Sequence, residues 1–141
     1  MSEGFLLDTN LLIGAFDGEP GNAEHEAATV RLRQLLEKPS VQLAITPLIR
    51  YEVLRGAARI SVDELDKVLD GFREFEIRGS DGRRAAELFR EAKAQGLVLN
   101  KRAFDLFHCV CADANQLDIA SQDGDIPKIK TLIEASKDAK A

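Results

Sequence analysis

The stretch Gly4-Phe5-Leu6-Leu7-Asp8-Thr9-Asn10 joins a short apolar run to three polar residues. A run of this length, with a polar turn after it, is typical of a buried strand, so we predict a strand at 4–8. Leu11 to Phe16 follow as a second apolar segment. A carboxylate beside an apolar core is costly unless a positive group or hydrogen-bond donors pair with it. Asp8 is therefore either a functional acid or the cap of a following helix.

The rest of the chain alternates short apolar runs with helical repeats. Thr46 and Pro47 are a good helix start, because threonine caps a helix and proline fits its first position. Ser61-Val62-Asp63-Glu64 is a capping box and predicts a second helix start. Alternation of this kind predicts an α/β fold with a central parallel sheet and helices on both faces. We expect one domain over 1–135 and a polar tail over 136–141. The predicted strands are 4–8, 41–45, 75–77 and 117–121, and the predicted helices are 24–37, one from Pro47, 61–72, 81–95, 103–114 and 127–134.

Composition and charge limit the classes of function. The 141 residues are 45% hydrophobic and 30% charged, as in a folded globular protein. The formal net charge of −5 argues against binding nucleic acid through a broad electropositive surface. Local contacts to a phosphate backbone are still open to a few cations, namely Arg50, Arg55, Arg59, Lys101 and Arg102.

Targeting signals are not evident. No apolar run approaches the roughly 20 residues of a membrane span. The N-terminus has no basic region, and Asp8 interrupts its apolar stretch, so we expect no signal peptide. A cytoplasmic protein without membrane contact is the expectation.

Four acids stand at positions where a charge is locally unusual: Asp8, Glu52, Asp105 and Asp123. Asp8 and Asp123 follow predicted strands, Asp105 is near a helix start, and Glu52 is in the second turn of a helix. Ligands of parallel sheets gather at the carboxyl ends of the strands, so we expect the four acids to meet at one edge. Converging carboxylates favour a hard cation such as magnesium or manganese.

Each of these acids also has a simpler interpretation. Glu52 could be a surface glutamate paired with Arg55 or Arg59. Asp105 could stabilise the start of its helix, where negative charge is favoured. Asp123 could belong to a polar turn.

The cysteines and histidines do not suggest a metal site. Cys109 and Cys111 are two apart in a predicted helix, so their side chains point to different faces and a shared bridge is unfavourable. We expect both to be buried, reduced thiols. Neither His25 nor His108 belongs to a pattern with zinc spacing, and a core position is the better interpretation of His108.

Four motifs in order resemble the PIN-domain family, and most of all its VapC-type toxins. They are Leu6–Asn10 with Asp-Thr-Asn, Tyr51–Gly56 with Glu-Val-Leu-Arg-Gly, Asp105, and Ser121–Asp125. The resemblance covers almost the whole chain. Ser121 stands where the family often has threonine, and Ile126 where an aromatic residue is common, which leaves the substrate preference open.

The resemblance implies a magnesium- or manganese-dependent endoribonuclease, the toxin of a VapBC-type toxin–antitoxin pair. It further implies an RNA substrate, a cognate antitoxin and a homodimer as partners. The implied catalytic residues and metal ligands are Asp8, Glu52, Asp105 and Asp123. The implied supporting polar residues are Thr9, Asn10, Ser121 and Asp125.

Two other classes of protein also place acids at strand ends. A receiver-like signalling domain needs paired acids after its first strand, where this chain has Asp8-Thr9-Asn10. A non-catalytic interaction module on the PIN fold would be expected to lose at least one of the four acids, and none is missing.

Overall fold

A computed structural model describes residues 3–97, 103–122 and 126–140. Four strands and seven helices lie within these ranges. Asp123, Asp125, Lys101 and Arg102, which the sequence marks as candidate site or phosphate-contacting residues, lie outside them. The strands are β1 (Gly4–Leu7), β2 (Gln42–Ile45), β3 (Arg73–Glu74) and β4 (Asp118–Ala120). The helices are α1 (Thr9–Phe16), α2 (Ala23–Glu37), α3 (Pro47–Arg55), α4 (Val62–Leu69), α5 (Gly79–Ala94), α6 (Ala103–Ala114) and α7 (Ile126–Lys140).

The strands form one parallel sheet in the order β3-β2-β1-β4, which confirms the predicted α/β class. In β1, Leu6 lies opposite Ala44 of β2 and Ile119 of β4. Leu6 and Leu7 are almost completely buried, as the apolar run before Asp8 predicts. The carboxyl end of β1 therefore lies between two neighbours, and Leu7 pairs with Ala120 beside it.

The chain divides into two compact units. The first contains the sheet and α1 to α4, from residues 3–76 and 117–122, and the second contains α5 to α7. No helix in the described ranges is both long enough and apolar enough to cross a membrane.

In the first unit, α1 and α2 approach each other closely at Gly14. A Cβ atom on Gly14 would lie 2.7 Å from the Cβ of Ala28 and 3.3 Å from the Cα of His25. A larger residue would force the two helices apart, so glycine sets their separation.

The helices that follow β2 begin at the caps that the sequence predicts. The Thr46 hydroxyl accepts a hydrogen bond from the Ile49 amide at 3.2 Å, with Pro47 in the first helical position. The Ser61 hydroxyl accepts one from the Glu64 amide at 3.1 Å. Such caps satisfy amides that have no partner within the helix, which is why they are readable from local sequence.

In the second unit, Asp113 of α6 accepts hydrogen bonds from Arg84 of α5 at 2.8 Å and from Lys137 of α7 at 2.6 Å. Burial alone would raise the pKa of Asp113, but the two cations outweigh it and hold that pKa below its ordinary value. One carboxylate thus joins all three helices of the unit.

The two cysteines lie in α6 and, as predicted, are buried and outside any disulfide bond. Burial, with a smaller contribution from the negative charge of Asp81, raises the pKa of Cys111 to about 12. This thiol is therefore protonated at neutral pH and a poor nucleophile, because the thiolate is the reactive form.

Several element boundaries differ from the sequence prediction. The third strand is Arg73–Glu74 and not 75–77, because only these two residues pair with β2 before Phe75 makes a last hydrogen bond to Ile45. Helix α7 continues to Lys140, well beyond the predicted end at 134 and through much of the segment assigned to a polar tail. Lys137, in its last turns, is held by Asp113.

Asp17, which the sequence places in a loop, is a buried acid at the end of α1. Its carboxylate accepts three backbone hydrogen bonds, from Ala58 at 2.8 Å, Arg59 at 2.7 Å and Ile60 at 2.8 Å. Burial would raise the pKa of Asp17, but these amides together lower it below its ordinary value. The carboxylate fastens α1 to the segment that joins α3 to α4.

We predict that Asp17→Asn lowers the free energy of unfolding by about 2 kcal/mol at pH 7, because an amide group cannot accept all three hydrogen bonds. The folded-state pKa is lowered, so this stabilisation is present above the unfolded pKa and is lost as pH falls through the folded one. Urea unfolding from pH 7 to pH 3 measures it. The difference between wild type and variant should shrink at the acid end.

The matched control for this measurement is Glu37→Gln, which removes an exposed carboxylate at the end of α2. Its unfolding should match wild type. An Asp17→Asn protein as stable as the control at pH 7 would contradict the role assigned to these hydrogen bonds.

Candidate carboxylate site at the end of the first strand

Asp8 lies where β1 ends and α1 begins, and only 1% of its surface is exposed. Its backbone is extended, with φ −74° and ψ 157°, as expected of a helix-capping residue. One carboxylate oxygen, Oδ1, accepts from the Thr9 amide at 2.8 Å. The other, Oδ2, accepts from the Ser121 hydroxyl at 2.7 Å. Capping and a functional role are thus compatible, since the cap uses only one of the two oxygens.

Main-chain pairing brings Ser121 to Asp8. The Asp8 amide donates to the Ala120 carbonyl at 3.0 Å, which extends the β1–β4 ladder by one residue. Ser121 is the next residue along the chain, so its hydroxyl reaches the Asp8 carboxylate across the strand ends. The parallel register therefore determines this contact.

Glu52 lies in the second turn of α3 and is half-buried. The Thr9 hydroxyl donates to its carboxylate oxygen Oε1 at 3.0 Å. Ile49 and Val53 on the same helix are fully buried, so α3 packs with Glu52 beside its apolar face.

Thr9 is the residue that connects the two acids. Its amide donates to Asp8, and its hydroxyl donates to Glu52. Two carboxylates from distant parts of the sequence are thereby held around one threonine. Asn10, the other polar residue of the motif, is exposed in the first turn of α1.

Asp105 and His108 belong to α6, in the second unit. Asp105 is in the first turn and buried, and His108 follows one turn later at 1% exposure. The burial of His108 agrees with the prediction of a core or partly buried histidine. Asp105 occupies a position where a negative charge also favours the helix, so its capping interpretation and its role as a ligand both remain predictions.

The cations near the site are engaged in different ways. Arg50, offered by the sequence as a phosphate contact, is instead surrounded by carboxylates: Nη1 pairs with Asp66, and Nη2 lies 3.1 Å from Asp70 and 2.6 Å from Glu74. These three partners neutralise its charge and join α3 to α4 and β3. Arg50 therefore serves the fold.

The two arginines proposed as surface partners of Glu52 have other contacts. Arg59 pairs with Glu19 at 3.6 Å. Arg55 lies over the ring of Tyr51. The Glu52 carboxylate accepts from the Thr9 hydroxyl.

Comparison with known proteins assigns this parallel α/β fold to a family. The model of the PIN domain matches residues 5–132, so the chain belongs to the PIN domain family. Members of this family are generally nucleases and typically use divalent metal ions.

Among solved structures, the chain is similar to a "Toxin-antitoxin complex from Klebsiella pneumoniae", with 23% sequence identity and a TM-score of 0.63. The similarity covers 84% of this chain and 86% of the other. At this identity the likeness supports the fold. No curated protein matches the chain.

The contact between Ser121 and Asp8 predicts a stability effect. Ser121→Ala should lower the free energy of unfolding by about 1–3 kcal/mol, because a buried carboxylate oxygen loses a donor that water cannot readily replace. Urea unfolding in the presence of chelator measures it without any contribution from metal.

Two substitutions control this experiment. Ser121→Thr keeps the hydroxyl and should retain most of the stability, and Ser80→Ala changes an exposed serine of α5 and should have no effect. If Ser121→Ala unfolds like Ser80→Ala, the hydrogen bond to Asp8 does not stabilise the site.

Proposed function

We propose that this protein is a magnesium- or manganese-dependent endoribonuclease, and the toxin of a VapBC-type toxin–antitoxin pair. One observation carries the proposal: Asp8 and Glu52 lie around Thr9 at the carboxyl end of β1. Ligand sites of parallel α/β proteins are found at such strand ends. Membership of the PIN domain family supports the nuclease assignment.

The donor atoms fit a hard divalent cation. Two carboxylates and the hydroxyls beside them offer only oxygen, the ligand atom that magnesium and manganese prefer. The proposed ligands and catalytic residues are Asp8, Glu52, Asp105 and Asp123, with Thr9, Asn10, Ser121 and Asp125 as supporting residues. Of these, Asp8, Thr9, Glu52 and Ser121 are joined by the hydrogen bonds described above.

The residues around the acids fix their orientation before substrate arrives. Asp8 is held from both sides, by a main-chain amide and by the Ser121 hydroxyl, so its carboxylate has little freedom to rotate. The Thr9 hydroxyl orients the Glu52 carboxylate through one hydrogen bond. When bound, the cation would lower the pKa of an attacking water and offset charge developing on the phosphate. Preorganised carboxylates reduce the reorganisation that binding and reaction require.

The partners follow from the same assignment. The similar Klebsiella structure is of a toxin–antitoxin complex, which supports an antitoxin protein as the partner of this chain. RNA is the proposed substrate, a homodimer the proposed assembly, and the cytoplasm the proposed location. The match to the PIN domain over residues 5–132 argues against the receiver-like alternative.

We predict that the protein cleaves single-stranded RNA with magnesium or manganese and does not cleave it in chelator. Calcium should substitute poorly, because its coordination shell is larger and less regular. Asp8→Ala and Glu52→Gln should each lower the cleavage rate at least ~100-fold, since each removes ligand charge from the site. Gel analysis of a labelled RNA measures the rate.

The matched control is Glu76→Gln, a glutamate after β3 and outside the site, which should cleave like wild type. Circular dichroism should show that both site variants remain folded. Overproduction of the wild type should arrest growth, and overproduction of the site variants should not. Cleavage that persists in chelator, or in Asp8→Ala purified free of other ribonucleases, would contradict the mechanism.

A further inference from the structure

Tyr51 and Arg55 form an exposed pair on α3. The Arg55 guanidinium lies 5.1 Å from the centroid of the Tyr51 ring, and its Nη1 donates to the Tyr51 hydroxyl at 3.4 Å. Tyr51 is nevertheless 52% exposed. An aromatic surface and a cation are thus presented to solvent together.

This pair lies beside a proposed site residue. Tyr51 immediately precedes Glu52, and Arg55 follows Glu52 by three residues, so Arg55 and Glu52 are neighbours on the helix surface. Tyr51 and Arg55 are four apart and share one face. An RNA whose phosphate is bound at the proposed metal site beside Glu52 would therefore place an adjoining nucleotide against this face of α3.

Arg55 differs from the nearby arginines in the partners of its guanidinium group. Arg50 is neutralised by three carboxylates, and Arg59 pairs with Glu19. Within the part of the chain that the structure describes, Arg55 has no carboxylate partner, and its guanidinium contacts Tyr51 instead. In a chain of formal net charge −5, such a cation beside an acidic site is suited to a phosphate.

We propose that Tyr51 and Arg55 bind one nucleotide of single-stranded RNA next to the cleaved bond. The base stacks on the Tyr51 ring, and the Arg55 guanidinium binds the phosphate of that nucleotide. Aromatic stacking accepts any base, and it requires a base that is not paired in a duplex. The pair would therefore select for unpaired RNA. This inference rests on the proposed ribonuclease function.

The test combines binding with kinetics. Binding of a fluorescein-labelled single-stranded RNA is measured by anisotropy in an Asp8→Asn background, so that the RNA stays intact. Adding Tyr51→Ala should weaken binding about tenfold, whereas Tyr51→Phe keeps the ring and should stay within about threefold. Adding Arg55→Ala should weaken binding and make it less dependent on salt, because one phosphate contact is lost.

In the active protein, Tyr51→Ala and Arg55→Ala should raise KM for RNA with a smaller effect on kcat. Controls are Phe89→Ala, an exposed aromatic of α5, and Arg59→Ala, which removes an arginine already paired with Glu19. Both controls should bind and cleave like their parent proteins.

The outcomes separate this inference from the proposed function. Absence of RNA cleavage by the wild type would count against the ribonuclease itself. Normal wild-type cleavage, with KM and RNA binding unchanged in Tyr51→Ala and Arg55→Ala, would overturn only the nucleotide subsite. Conversion of a dimer to a monomer by Tyr51→Ala, with RNA binding per chain unchanged, would also overturn it and assign the pair to a protein interface.

Discussion

The buried carboxylate of Asp8 is the constraint on which the site depends. A charge at 1% exposure needs donors on both oxygens, and the fold supplies them from two directions. The β1–α1 junction contributes the Thr9 amide, and the parallel β1–β4 pairing contributes the Ser121 hydroxyl. Glu52 is connected to Asp8 through Thr9, whose hydroxyl donates to the Glu52 carboxylate. The same hydrogen bonds that make this charge tolerable also orient it for a ligand.

Helix α1 is fastened at both ends by carboxylates. At its start, Asp8 and Thr9 connect it to β4 and α3, and at its end Asp17 accepts three amides from the segment after α3. Because α3 carries Glu52, both attachments bear on the spacing between the two acids. Stability and site geometry are therefore linked in this unit. A substitution at Asp17 is expected to alter the spacing between Asp8 and Glu52 although Asp17 contacts neither acid.

Local signals made much of this arrangement predictable. Thr46-Pro47 and Ser61 identified helix starts because a cap involves residues close in sequence. The order of motifs identified the family. Asp17 gave no such signal, because its three amide partners are remote and nearly any residue type can supply an amide. Sequence also could not tell Arg50 from Arg55: among the described residues, Arg50 is surrounded by carboxylates, whereas Arg55 contacts the ring of Tyr51.

The central claim is that Asp8 and Glu52 form part of one divalent metal site. Calorimetric titration with manganese tests it directly, without RNA and without any contribution from contaminating nucleases. The wild type should bind manganese, and both Asp8→Asn and Glu52→Gln should weaken binding at least about tenfold while Glu76→Gln does not. Manganese binding of equal strength in the wild type and in both site variants would contradict the claim.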